Sequence, residues 1–245
     1  MAADELQFAR KRLESDIGNP CAACSIREMS ICAVLDNSKL SRMAAIARTQ
    51  SLSPRQTIID EGESAESLFN ITGGAVKLYK LLPDGRRQIT GFLFQGDFLG
   101  IALNQEYAYS AEAVSDVTLC RFPRVRFEAL LDEFPKLEKQ LLEVASNELA
   151  QAQDQMLLLG RKTAREKVVS FLLSVSERAR QRGDAPSPIS LPMSRAVIAD
   201  YLGLTTETVS RTFTNLKSSS AIRLLPGNMV ELSDRETLQN LSDGS

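Results

Sequence analysis

Hydrophobic and polar positions divide the chain into two kinds of pattern. Between residues 52 and 122 the apolar runs are short and punctuated by glycine: Gly62, Gly73, Gly74, Gly85, Gly91, Gly96 and Gly100, seven of the thirteen in the chain. "SLFNI", "AVKLYKLL" and "RQITGFLF" lie between them. In "AVKLYKLL", Val76 and Leu78 alternate with polar or amphipathic neighbours, the period-two signature of a half-buried strand. The stretch "LLPDGRRQ" (81–88) predicts a hairpin turn, because proline fixes φ and Gly85 accepts backbone angles that other residues resist. Many short strands at turn spacing predict a small antiparallel barrel or jelly roll.

The period changes at Pro135. From Lys136 to Leu159 there is neither glycine nor proline, and the residues are strong helix formers. Leu142, Ala145, Leu149, Ala152, Met156 and Leu159 step by three and four, a heptad seam. The other face carries Glu138, Lys139, Glu143, Asn147, Gln151 and Asp154. One narrow apolar stripe needs a partner, and this spacing fits a two-stranded seam, so a homodimer is expected. Gly160 is the expected end of the helix. A second amphipathic helix, 163–183, places Val168, Phe171, Leu172 and Val175 on one side, and "DAPSPIS" (184–190) reads as a linker.

Residues 194–224 predict two short helices around a turn at Gly203. Ser194 is the expected N-cap of the first, with Val197, Ile198 and Leu202 inward; Thr205 or Thr206 caps the second. In that second helix Val209, Phe213 and Leu216 face inward, leaving Thr206, Glu207, Ser210, Arg211 and Thr214 on the opposite face. A helix that enters the major groove needs such side chains on its first turns. Arg211 can donate two bonds to guanine and Glu207 can accept from cytosine. The bland reading of that pair is an i,i+4 salt bridge. "IRLLPGNMVELS" (222–233) then reads as strand, turn, strand: the wing of a winged helix. Double-stranded DNA is the expected partner.

Charge adds to this. The chain has a net charge of −2, but residues 161–245 hold twelve Lys and Arg against nine Asp and Glu. The positive bias is confined to the part that would meet phosphates. Arg161, Lys162, Arg165, Arg195 and Lys217 are candidates for those contacts.

Composition removes most enzymes. There is no histidine and no tryptophan, so Ser-His-Asp and Cys-His nucleophiles, His-ligated haem and mixed cysteine–histidine zinc fingers are excluded. No arrangement of carboxylates or lysines takes their place, and no catalytic residues are expected. No stretch approaches the eighteen apolar residues of a membrane span. The N-terminal "MAADELQFARKRLESDIGNP" has no apolar run, so a signal peptide is not expected and a cytoplasmic location is.

The four cysteines carry the remaining chemistry. Cys21, Cys24 and Cys32 fall within twelve residues, and Cys120 lies far downstream. In a reducing compartment such a cluster favours metal binding or redox chemistry over a structural disulfide. Four thiolates can hold a tetrahedral zinc, a [2Fe–2S] or a [4Fe–4S] cluster. Ser25, Ser30 and nearby amides are candidate donors to sulfur. The alternative for Cys120 is a buried apolar thiol.

In order, these parts resemble the CRP/FNR superfamily of bacterial transcription regulators, in its FNR branch. "RQITGFLFQGDFLG" (87–100) is similar to the roll of that branch, "QDQMLLL" (153–159) to the end of its dimer helix, and "LGLTTETVSR" (202–211) to its E-x-x-S-R reading motif. The resemblance implies an α+β chain with four parts. These are a cysteine arm (1–36), a cyclic-nucleotide-binding-like β-roll sensor domain (37–132), a dimerisation helix (133–160) and a winged helix-turn-helix (161–245). It implies that Glu207, Ser210 and Arg211 read a TTGAT-N4-ATCAA palindrome, that RNA polymerase is a partner, with "PDGRRQ" a candidate contact, and that the regulator is an activator. It implies that Cys21, Cys24, Cys32 and Cys120 ligate one oxygen-labile [4Fe–4S] cluster per subunit, in the spacing of FnrN/FnrL-like forms. Cluster loss would then release the arm and the dimer. The relatives that bind cyclic nucleotides hold the phosphate with an Arg-Ser pair. Here "GIALNQEYAYSAEAVS" has Tyr109 before Ser110, so no cyclic nucleotide is expected. Where the FNR helix carries an acidic seam residue, this chain has Ala152, which implies a tighter seam. A thiol-redox or zinc-dependent regulator, or one answering a small effector in the roll, are the alternatives.

Overall fold

The glycine-punctuated region forms eight strands. The structure, a computed structural model, describes Cys21, residues 24–102 and residues 105–244. The strands are β1 (Arg48–Leu52), β2 (Thr57–Ile59), β3 (Ser67–Gly73), β4 (Ala75–Leu81), β5 (Arg87–Phe94), β6 (Phe98–Leu99), β7 (Ser110–Ala113) and β8 (Val117–Pro123). They make two antiparallel four-stranded sheets, ordered β1-β8-β3-β6 and β2-β7-β4-β5. Phe69, Ile71, Val76, Leu93, Leu99, Val117 and Leu119 fill the space between them. The β4–β5 hairpin turns where the sequence predicts it, with Gly85 at φ +84° and the Leu82 amide donating to the Arg86 carbonyl at 2.8 Å.

The alternation in β4 is only half of its story. Val76 faces the roll interior, yet Lys77 is also buried, 5% exposed and paired with Glu112 at 2.6 Å. The reason is a second cover. Ala75, Tyr79, Ile89, Phe92 and Phe94, from the outer face of that sheet, share one apolar core with the C-terminal part of the chain.

Two short 3-10 turns, Arg27–Met29 and Ile31–Val34, precede α1 (Asn37–Ile46). After β8 come α2 (Arg124–Glu133) and the long α3 (Pro135–Arg161). Gly160 does not end α3; the helix continues one residue further and closes at Lys162, whose amide bonds back to the Leu158 carbonyl. The helix carries two apolar faces where the seam predicts one. Leu137, Leu141 and Val144 belong to the apolar cluster that includes the 3-10 segment and α2, while Leu142, Leu149 and Met156 stand 70%, 61% and 71% exposed.

The C-terminal part holds α4 (Ala164–Gln181), β9 (Ile189–Ser190), α5 (Arg195–Leu202), α6 (Thr206–Ser218), β10 (Ile222–Leu225), β11 (Met229–Leu232) and α7 (Arg235–Asp243). A capping box of Thr163 and Glu166 starts α4. Ser194 and Thr205 cap α5 and α6. Between those helices Gly203 takes φ +62°, a left-handed turn that glycine adopts without strain. β9 adds to the wing as a third strand, ordered β10-β11-β9. Neither β9 nor α7 is anticipated by the sequence pattern.

Candidate functional site

Three chain-distant segments meet at the sulfur atoms. Cys32, on the second 3-10 turn, and Cys21 share an apolar cluster with Cys120, which β8 presents on the outer face of the β1-β8-β3-β6 sheet, and the Cys24 amide donates to the Cys21 carbonyl at 3.4 Å. Ile31, Cys32 and Leu35 are buried there against Leu68, Phe98 and Phe122 of the roll, Phe127 and Leu130 of α2, and Leu137 of α3. Arg27 ties the segment to its surroundings, donating to the Leu35 carbonyl at 2.7 Å and to Asn37 Oδ1 at 3.1 Å. At Gly96, φ +96°, an added Cβ would lie 3.0 Å from both Cγ and the carbonyl oxygen of Met29. The roll therefore keeps a bare backbone where the cysteine segment lies on it.

Electrostatics reports the same gathering. Burial pushes the Cys32 thiol up to about 12, with the Ser30 hydroxyl opposing part of the rise and Cys21, Cys120 and Cys24 adding to it. Burial, then Cys21 and Cys24, push Cys120 up to about 11. Cys21 is raised by burial and Cys24, against Arg27. Cys32 and Cys120 thus feel the charge of other sulfurs as well as their burial, and ionising them together is costly until a cation is present. No three Cys, Asp or Glu side chains among the described residues are arranged to hold a single metal ion. Four cysteine thiols, once deprotonated, are a donor set that would hold an iron–sulfur cluster. The Ser30 hydroxyl accepts from the Cys32 amide at 3.3 Å and donates to the Arg27 carbonyl at 3.2 Å, while Ser25 points into solvent. Residues 1–20 of the expected arm, and Ala22 and Ala23, lie outside the described residues.

The second surface is α6. Val209, Phe213 and Leu216 are buried, so Thr206, Glu207, Ser210, Arg211 and Thr214 are turned outward. Glu207 and Arg211 do not form the i,i+4 salt bridge and make no side-chain hydrogen bond among the described residues. The Thr205 hydroxyl accepts from the Thr208 amide at 3.2 Å, fixing the first turn. The phosphate candidates divide. Arg161, Arg165 and Lys217 are exposed. Lys162 is a structural tie instead, donating to Ser170 Oγ at 2.8 Å and to the Ser242 carbonyl at 2.9 Å. Arg195 lies over the Phe213 ring, 3.3 Å from its centroid, and is half-buried.

Sequence reasoning missed the joint between the two surfaces. Arg87 pairs with Asp200 at 2.8 Å. Gln88 Nε2 donates to the Asp200 carbonyl at 2.9 Å, and Gln155 Nε2 to the Tyr201 carbonyl at 2.9 Å. Arg178 donates to the Phe92 carbonyl at 2.6 Å and pairs with Asp97. Arg87 and Gln88 are therefore used inside the molecule, and only Pro83–Arg86 of "PDGRRQ" points outward. Leu159, the last residue of the expected seam, lies against the Gly203 turn rather than on the open stripe. Ala145 is half-buried and Ala152 exposed. Tyr109 and Ser110 lie inside "GIALNQEYAYSAEAVS" (100–115). The Tyr109 hydroxyl accepts from the Gly100 amide at 3.5 Å, and the Ser110 hydroxyl from the Glu61 amide at 3.0 Å. Leu103 and Asn104 of that segment lie outside the described residues.

These parts define a class: a β-roll joined by one long helix to a DNA-binding winged helix-turn-helix. The "Cyclic nucleotide-binding domain" family model matches residues 49–134 and the "Crp-like helix-turn-helix domain" model residues 166–241. The nitrogen fixation regulation protein FixK of Bradyrhizobium diazoefficiens is 45% identical over 210 residues, covering 86% of this chain and 89% of that protein. The transcriptional activator protein FnrL of Cereibacter sphaeroides is 38% identical, covering 83% and 84%. Among solved structures, FixK2 from Bradyrhizobium japonicum superposes with a TM-score of 0.75 at 37% identity, covering 80% of this chain and 97% of that one. The chain belongs to the CRP/FNR family of transcription regulators.

Proposed function

We propose that this regulator is an oxygen-responsive activator. Cys21, Cys24, Cys32 and Cys120 hold one [4Fe–4S] cluster per subunit, and the cluster-bearing form is a homodimer reading a TTGAT-N4-ATCAA palindrome. One observation carries the reading: Cys21, Cys32 and Cys120 lie in the same apolar cluster as Leu137, Leu141 and Val144 of α3, and Cys24 is near enough for its charge to act on all three. Bound, the cluster supplies a cation that neutralises the thiolates and that dioxygen destroys.

The chain's own residues convert that into DNA binding. Cys32 is in the 3-10 segment that packs on α3, so ligation holds Ile31 and Leu35 on Leu137 and Leu141. Leu142, Leu149 and Met156, seven residues apart and exposed, would meet their counterparts on a second copy. A preference of a few kcal/mol is enough to move most of the chains from monomer to dimer. In the dimer two copies of α6 face successive major grooves, with Arg211 and Glu207 reading base edges and Ser210 close to them. Arg161, Arg165 and Lys217 are placed for phosphates. Pro83–Arg86 is the surface proposed for RNA polymerase, and no cyclic nucleotide is required. FnrL, named a transcriptional activator, supports activation.

The test is protein purified without oxygen, followed by visible absorbance and light scattering as air is admitted. About four irons and four acid-labile sulfides per chain, a charge-transfer band that bleaches in air and concurrent loss of dimer are expected. A colourless protein with one zinc, dimeric with and without air, would overturn the oxygen reading and leave thiol or zinc control.

A further inference from the structure

Beside Cys120 stands a polar side chain that the apolar surroundings do not explain. Asn70 on β3 is in register with Cys120 on β8 at one side and with Phe98 on β6 at the other. It is 3% exposed, and its Oδ1 has no hydrogen-bond partner among the described residues. Leu68, Phe98 and Phe122, which share that sheet face, belong to the apolar cluster under the cysteines. An unpartnered amide oxygen in such a place costs stability that leucine would not, so it needs a reason.

The register supplies one. Directly opposed residues of an antiparallel pair put their side chains on the same face, with Cβ atoms about 5 Å apart. The Asn70 amide is thus within reach of the Cys120 sulfur. A carboxamide presents either its oxygen or its NH2 group by turning about χ2, whereas metal-bound thiolate only accepts. We propose that Asn70 is a positioning residue of the sulfur site: its Nδ2–H donates a hydrogen bond to Cys120 Sγ when that sulfur is a ligand. This rests on the cluster reading above. The bond stabilises negative charge on the sulfur, favours the reduced state and slows loss of the cluster to air.

The experiment uses full-length protein purified without oxygen, comparing the parent with Asn70→Leu, which keeps the volume, and Asn70→Thr, which keeps a donor. Cluster-free Asn70→Leu should melt at or above the parent temperature, so that a folding defect is ruled out. With equal iron loading, Asn70→Leu is expected to show a more negative midpoint potential, a higher Fe–S(Cys) stretching frequency and several-fold faster bleaching. Asn70→Thr should restore all three in part. Equal potentials and frequencies in parent and Asn70→Leu would overturn the hydrogen bond while leaving the cluster intact. A parent protein without iron and sulfide would overturn both readings.

Discussion

The sulfur site and the reading helix are built in opposite ways. The reading surface comes from one continuous stretch, with Ser194 and Thr205 as caps, Gly203 in the turn and Val209, Phe213 and Leu216 beneath. Local chemistry alone aims Glu207, Ser210 and Arg211. The sulfur site draws on residues 21–35, on Cys120 and on α3, and its N-terminal cysteines lie on and before two 3-10 turns of three and four residues, in no long helix or strand. A surface that holds itself together is suited to recognition. One assembled from separate segments gains most from whatever it binds, which is what a sensor requires.

Removing a ligand should separate the two regions most sharply. Cys120→Ser is expected to lose iron and sulfide and to bind the palindrome about 100-fold or more weakly, the order lost when two linked half-site contacts become one. The same variant should leave the melting of the winged helix unchanged, as followed by circular dichroism. If Cys120→Ser keeps full anaerobic affinity by fluorescence anisotropy, the sulfur site does not control reading.

The converse change acts on the other region. Arg211→Ala is expected to cost about 1–3 kcal/mol on a single half-site, the value of a bidentate guanine contact. Iron content and air bleaching should stay at parental values. Loss of affinity that is equal on a scrambled site would mean that Arg211 contacts only phosphate.

Both regions were unequally legible in the sequence, for the same reason that they differ in construction. Caps, a turn glycine and a buried triad are local signals, so the winged helix could be read directly. Cysteine spacing named the sulfur residues, but not their cover. Leu137, Leu141 and Val144 were hidden because α3 carries two stripes that overlap at Leu141 and Leu142, and a heptad search takes one of them. Lys77 is one of the polar positions in the alternation of β4, and nothing in that strand reveals that a second apolar core covers its sheet. Lys162 and Arg195 read as phosphate contacts because net charge does not tell that Ser242 and Phe213 already occupy them.

The helix between the regions offers a finer test. Ala152 lies on the open stripe between Leu149 and Met156, and Ala152→Asp would place two like charges across a symmetric seam. The expected effect is about tenfold weaker self-association, roughly 1–2 kcal/mol, read by sedimentation of cluster-free protein. The cluster-bearing form should recover part of it, since cluster and seam share α3. Unchanged association would mean that the dimer forms elsewhere on the chain.

The smallest effect is expected where the two regions adjoin. Glu148 of α3 has its carboxyl pushed up to about 7, by burial and then by the charge of Asp97 on the roll, with Arg178 of α4 opposing. Below about pH 4.5 the group is protonated in both folded and unfolded chains and contributes nothing. As pH rises from there to about 7, the unfolded chain gives up a proton that the folded chain keeps, so stability falls; above 7 the loss is constant. Replacing it by a neutral isostere, Glu148→Gln, should therefore raise stability at pH 8 by about 1–2 kcal/mol, with allowance for its partial exposure, and leave it unchanged near pH 4.5. Urea melts at the two pH values decide the matter. Equal gains at both would assign the effect to packing at the joint. A gain only at pH 8 would show that an ionised Glu148 strains the contact between roll, long helix and winged helix, and that this joint is held together with one carboxylate more than its charges can balance.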